Sequence, residues 1–144
     1  MKSPDTNILL YGTNADCEEH AWARPVLEQM LAEPGEWIVA DQVLLEYYRL
    51  LRNPKVLTSP LSGRDAAEQL RFFRDLSGSY HCGYEISLWP DVFALLDDDH
   101  FAPARTFDAV LAVTLRAAGV KKLFTRNEKD FEALGWFDVI NPEP

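Results

Sequence analysis

Four carboxylates in this chain stand where segments of different pattern meet, and together they could hold a divalent cation. Asp5 precedes the first apolar run, in "MKSPDTNILLYG", with Asn7 two residues on. Glu46 lies in "QVLLEYYRLL", Asp108 in "TFDAVLAVTLRAAG" and Asp130 in "TRNEKDF". Charged groups are rarely buried without a partner, so an acid at the mouth of an apolar run is either an exposed turn or a group with a task. At about 100° per residue along a helix, Glu46 falls at the margin of an arc through Val43, Leu44, Tyr47, Leu50 and Leu51. Asp108 falls at the margin of the arc Phe107, Val110, Leu111, Thr114, Leu115 and Ala118. It also lies in a first helical turn, where the helix dipole favours the ionised form. Brought together, such groups repel one another unless a hard cation lies among them, and Mg²⁺ or Mn²⁺ with oxygen ligands is the natural occupant. Taken singly, each has a plainer reading. Asp108 can be a first-turn acid, Glu46 a solvated helix acid, and Asn127 with Asp130 an N-cap and its partner.

The elements that must position these acids alternate in type. Ile8 to Tyr11 is too short for a helix by itself and reads as a strand or its end. "CEEHAWARPVLEQMLAE" has helical spacing, and "EWIVA" is a strand closed by Asp41. Asp41 reads as the N-cap of the helix "QVLLEYYRLLRN", with Pro54 just beyond its end. A further helix lies in "TSPLSGRDAAEQLRFFRDLSG", where Ser62 and Asp65 resemble a capping box and Gly78 is the stop. "SYHCGYE" is a strand weakened by Gly83, and "LWPDVFALLDDDH" a short helix with a solvated acidic end. "TFDAVLAVTLRAAG" is the clearest helix, stopped by Gly119; "KKLFT" is a strand, "NEKDFEALG" a short helix and "FDVIN" a last strand. Such alternation predicts an α/β fold, a three-layer α/β/α sandwich around a mainly parallel sheet. Ligands of such sheets bind beyond the carboxyl ends of the strands, where Asp5, Thr125, Asn127 and Asp130 all fall.

Bulk properties narrow the classes. A chain of 144 residues suits one domain, taken as 1–144. Its 47% apolar and 26% charged residues are ordinary for a soluble globular protein. Cys17 and Cys82 lack the number for a disulfide framework and the spacing of a zinc site, which favours a reduced, cytoplasmic setting. No segment reaches the roughly 18 apolar residues of a membrane helix, and the start of the chain does not read as a signal peptide. A formal charge of −9 argues against wholesale binding of a phosphate backbone, though not against a grip through a few arginines and a metal. His20, His81 and His100 have no metal-like spacing.

The blocks "DTNILLY", "LLEYYRLLRNP", "FDAVLAVTLRAAG" and "LFTRNEKDF" resemble, in order and spacing, the PIN-domain ribonucleases. The similarity is to the VapC-like toxins of bacterial type II toxin–antitoxin pairs, and it covers nearly the whole chain. It implies a PIN-like fold and a metal-dependent endoribonuclease that hydrolyses RNA with one or two Mg²⁺ or Mn²⁺. The family's acids fall on Asp5, Glu46, Asp108 and Asp130. Asn127 stands where many relatives carry an acid, Thr125 matches a supporting hydroxyl, and Asn7 the polar residue after the first acid. Asp5 and Asp108 are expected as primary ligands, with Glu46 and Asp130 completing the shell or positioning water. The resemblance also implies a homodimer and an antitoxin partner. Because only "MKSP" precedes Asp5, strand one must run mostly after it or be short before it. Arg49, Arg52, Lys55, Arg105 and Arg126 are the candidate phosphate contacts, whereas Tyr47, Tyr48 and Phe107 read as core. Two rivals remain: a PIN-like module that binds RNA or protein without cutting, and an aspartyl-nucleophile phosphatase. The latter needs a second Asp where Asn7 stands.

Overall fold

A computed structural model describes residues 1–144. Five three-residue strands form its centre: β1 (Lys2–Pro4), β2 (Ile38–Ala40), β3 (Tyr80–Cys82), β4 (Lys122–Phe124) and β5 (Asp138–Ile140). They pair as β1-β4-β5 and β2-β3, all in parallel. A single parallel bridge from Lys2 to Trp37 sets the two parts side by side, in the order β3-β2-β1-β4-β5. Parallel neighbours require crossover connections, and helices supply them. These are α1 (Thr6–Thr13), α2 (His20–Ala32), α3 (Asp41–Leu51), α4 (Gly63–Arg71), α5 (Trp89–Leu96), α6 (Thr106–Ala117) and α7 (Glu128–Glu132). Helices α1 to α4 pack on one another as one layer, and α5 to α7 as a second. The α/β/α sandwich expected from the alternation is therefore the observed fold. Its core runs through Val39, Leu123, Trp37, Tyr47, Phe73 and Phe131, all essentially inaccessible to solvent. No helix is long and apolar enough to cross a membrane.

Three sequence expectations are corrected. Ile8 to Tyr11 is not a strand but the body of α1, and strand one is the short segment before Asp5. A continuous apolar run has no periodicity to separate helix from buried strand. What decides is Asp5, which caps the helix: its Oδ1 accepts from the Thr6 N–H at 2.7 Å. Asp41 is the first residue of α3 rather than its cap, and its carboxylate faces Arg74 at 3.6 Å. Phe107 is not core. The buried face of α6 is Ala109 and Leu111 through Leu115, so Phe107 stands 75% exposed.

Other local signals behave as their chemistry demands. Ser62 caps α4 by accepting from the Asp65 N–H at 3.1 Å. Past α4 the chain winds through a π-helical segment, Phe72–Leu76, before Gly78 turns it with φ +83°. Gly119 closes α6 with φ +82°, a conformation that costs other L-residues strain. Tyr47 reaches from α3 to α1, its hydroxyl 2.8 Å from that of Thr13.

Candidate active site

The site begins at the carboxyl ends of β1 and β4. Pro4 and Phe124 are in register, so the next residues of each chain segment, Asp5 and Thr125, emerge side by side. The ladder continues one step further: Asp5 N–H donates to Phe124 O at 2.9 Å, and Thr125 N–H to Ile140 O at 3.0 Å. Asp5 is 6% exposed. Besides the Thr6 N–H, its carboxylate accepts from Thr125 Oγ1 at 2.7 Å and from Asn7 Nδ2 at 3.1 Å. Thr125 Oγ1 in turn accepts from the Asn127 N–H at 2.9 Å, and Asn7 Oδ1 from the Arg126 N–H at 3.2 Å. Asn7 and Thr125 thus fix the carboxylate from two elements, as a buried charge requires. Burial still dominates and raises the Asp5 pKa, against the lowering by Thr125 and Thr6; nearby Glu46 raises it further.

The other acids arrive on helices. Glu46, midway along α3, accepts from Thr6 Oγ1 at 2.9 Å and lies 3.8 Å from Arg49. Thr6 therefore touches both Asp5 and Glu46. The sequence reading passed over it, because a threonine just ahead of an expected strand carries no signal; as the first residue of a helix capped by an acid it does. Asp108, in the first turn of α6, is half-buried. Its carboxyl is pushed up to about 6, first by burial and then by the charges of Asp5, Asp130 and Glu46, with Arg105 opposing. Asp130 on α7 pairs with Arg105 Nε at 3.3 Å, and the same guanidinium donates to the Asp130 carbonyl. Asn127 precedes α7 without capping it through its side chain.

Residues 3–136 match the family model of the PIN domain. The chain belongs to the PIN-domain family. Ribonuclease VapC24 of Mycobacterium tuberculosis is 41% identical over 142 residues, which cover 99% of this PIN domain and 97% of that relative. Ribonuclease VapC48 of the same species is 24% identical over 138 residues, 96% of this chain and 94% of the relative. Among solved structures, the fold resembles that of M. tuberculosis VapC20, a sarcin-ricin loop cleaving toxin. The TM-score is 0.67 at 19% identity, covering 96% of this chain and 98% of that one. It also resembles VapBC2 from Rickettsia felis bound to a promoter DNA fragment, with a TM-score of 0.66 at 17% identity and 97% of each chain covered.

The donor chemistry of this PIN domain suits a hard cation, since Asp5, Glu46, Asp108 and Asp130 are all oxygen ligands. Their mutual repulsion, felt at Asp108, is what such an ion would relieve. The carboxylates nonetheless stand apart: no three His, Cys, Asp or Glu side chains are close enough together to chelate an ion as placed. Of the five expected phosphate contacts, Arg49 and Arg105 line clefts that contain the acids. The others are paired or placed elsewhere. Arg126 pairs with Glu19 and Glu143, Arg52 packs over the Tyr48 ring, and Lys55 lines a separate cleft beside Asp16 and Glu19.

Proposed function

We propose that this PIN domain is a metal-dependent endoribonuclease and the toxin of a bacterial toxin–antitoxin pair. The observation that carries the reading is Asp108, which lines two clefts and whose carboxyl is raised first by burial and then by Asp5, Asp130 and Glu46 from other parts of the chain. Perturbed acids gathered in one place mark functional sites more often than structural ones. The ribonuclease name of the 41% identical relative gives the reaction class.

Asp5 and Asp108 would hold Mg²⁺ or Mn²⁺, with Glu46 and Asp130 completing the shell directly or through water. Such an ion, when bound, polarises phosphate oxygens and activates water. The chain's own groups do the rest. Thr125 and Asn7 orient the Asp5 carboxylate, and Thr6 holds Glu46 toward it. Arg105 holds Asp130, while the exposed Arg49 is free to leave its long contact with Glu46 for a phosphate. The VapBC2 structure of the same fold supports an antitoxin partner. A homodimer is supported by the exposed apolar residues Tyr84, Ile86, Trp89 and Phe93, whose three rings lie against one another at the surface. Its reduced cysteines fit a cytoplasmic protein.

A second reading, a PIN-like module that binds RNA or protein without cutting, draws on the spacing of the acids, no three of which are at chelating distance. Incubation of purified protein with RNA in Mg²⁺ separates the two. Cleavage by the wild type that falls at least 100-fold in Asp5→Asn and in Asp108→Asn, with circular dichroism unchanged, is the expected result. Cleavage equal in both variants and wild type would remove the acids from the reaction.

A further inference from the structure

Asp108 stands at the junction of two clefts, and their walls differ from the acids between them. One cleft, about 490 Å³, lies between α3 and the start of α6; Leu45, Glu46, Arg49 and Phe107 line it together with Asp108. The other, about 300 Å³, lies between the segment after α5 and α7; Leu95, Phe101, Arg105, Asp130 and Leu134 line it, again with Asp108. Each therefore has an aromatic ring, a leucine, an arginine and a share of the acidic centre. Phe107 and Leu45 are 75% and 67% exposed, a large apolar exposure immediately beside charged groups. Gln42 fixes the Phe107 backbone by donating to its carbonyl at 2.9 Å, which ties α3 to α6 across the cleft floor.

Resting on the nuclease reading above, we infer that the two clefts are base subsites, which take the unstacked nucleobases on either side of the scissile phosphate. The substrate segment is single-stranded RNA whose backbone crosses Asp108. One base lies against Phe107 and Leu45, the next enters the cleft beside Phe101 and Leu134. Splayed bases stack on aromatic faces and guanidinium planes, and both kinds of surface are present in both clefts. A duplex, whose bases are stacked inside, could not place one in either. A protein segment would use the apolar walls, but it would meet Arg49 and Arg105 only if it carried carboxylates spaced to reach both sides of the acids, whereas every RNA linkage carries an anion. Phe107 and Phe101 are then specificity-determining residues, remote from the bond-breaking step.

The test uses a randomised single-stranded RNA pool and its duplex form, with wild type, Phe107→Ala and Ala102→Trp. Both positions are exposed, and Ala102 lines the smaller cleft, so neither change threatens the fold. The four nucleoside 5′-monophosphates serve as binding probes by NMR. Expected are preferential cleavage of the single strand, KM raised about fivefold or more in each variant with kcat retained, and altered base preference on one side of the cut in Ala102→Trp. The monophosphates should shift the resonances of Phe101 and Phe107. If the wild type cleaves but both variants match it in KM and base preference, or the duplex is cut as well as the single strand, the subsites are overturned. If the wild type cleaves nothing while the monophosphates still shift both rings, the nuclease reading falls and the base sites stand. Neither cleavage nor shifts would overturn both.

Discussion

Asp108 shows at the scale of one residue how gathering acids at a candidate site opposes stability. Its carboxyl titrates near 6 in the fold and at 3.8 in its ordinary state, so the folded protein holds a proton that the unfolded chain has lost. By linkage, Asp108's contribution to stability is fully present below about pH 4 and is lost as pH rises through 6. Asp5, also raised, acts in the same direction. Asp108→Asn removes the charge but not the shape. In chelator, the variant is expected to melt at nearly the same temperature as wild type at pH 4 and at a higher one at pH 7. Thermal melts across that range check this; a difference that stays flat with pH would mean Asp108 feels no such repulsion. The acids were visible in the sequence because helical periodicity sets Glu46 and Asp108 at the edges of their apolar arcs. Thr6 and the pairing of Arg105 with Asp130 were not, because they depend on which side chains meet across elements.

The elements were mostly legible, and the places that misled have physical reasons. Amphipathic helices such as α3 and α6 declare themselves by period. Helix α1 is buried at Ile8, Leu9 and Leu10 in succession, so its pattern carries no phase. The cue lay in Asp5 as a cap, and reading that acid only as a candidate metal ligand obscured its structural role. The sandwiching of α6 between β2 and its helical neighbours needs the small Ala109 and Ala112 inside, and this turns Phe107 outward. Close approach also governs α1 and α2. A Cβ on Gly12 would lie 3.0 Å from Leu27 Cδ2 and 3.1 Å from its Cβ. Gly12→Val should therefore destabilise by about 1–3 kcal/mol, the usual cost of overpacking. Urea denaturation measures it, and a neutral result would show that α1 can shift against α2 freely. Because Asp5 caps α1, the variant should also weaken the Asp5–Thr125 contact.

Across the whole molecule, charge is the constraint on function. If its substrate is RNA, a chain of formal charge −9 offers only two arginines in the clefts beside its acids, since Arg52 packs on Tyr48, Arg126 pairs with Glu19 and Glu143, and Lys55 lines a separate cleft. A cation at the rim would offset part of that charge where phosphate must approach. Apolar surface is the second constraint. Ile86, 88% exposed, with Trp89 and Phe93, leaves a face that a second copy would cover. Ile86→Lys with Phe93→Lys should halve the mass measured by light scattering; a wild type already monomeric at high concentration would contradict the dimer. The order of strands and helices was mostly readable from alternation, whereas the exposed apolar face was not, since Trp89 and Phe93 follow the same helical period that elsewhere marks core.

The proposed cation-holding rim depends on four distant acids acting together. Its most direct test is the melting temperature of chelator-treated protein as Mn²⁺ is added, for wild type and Asp108→Asn side by side. A saturable rise in the wild type, reaching about 2.7 kcal/mol of added stability at 100 times the dissociation constant and largely absent from the variant, is the predicted result. No rise, or the same rise in both proteins, would contradict it.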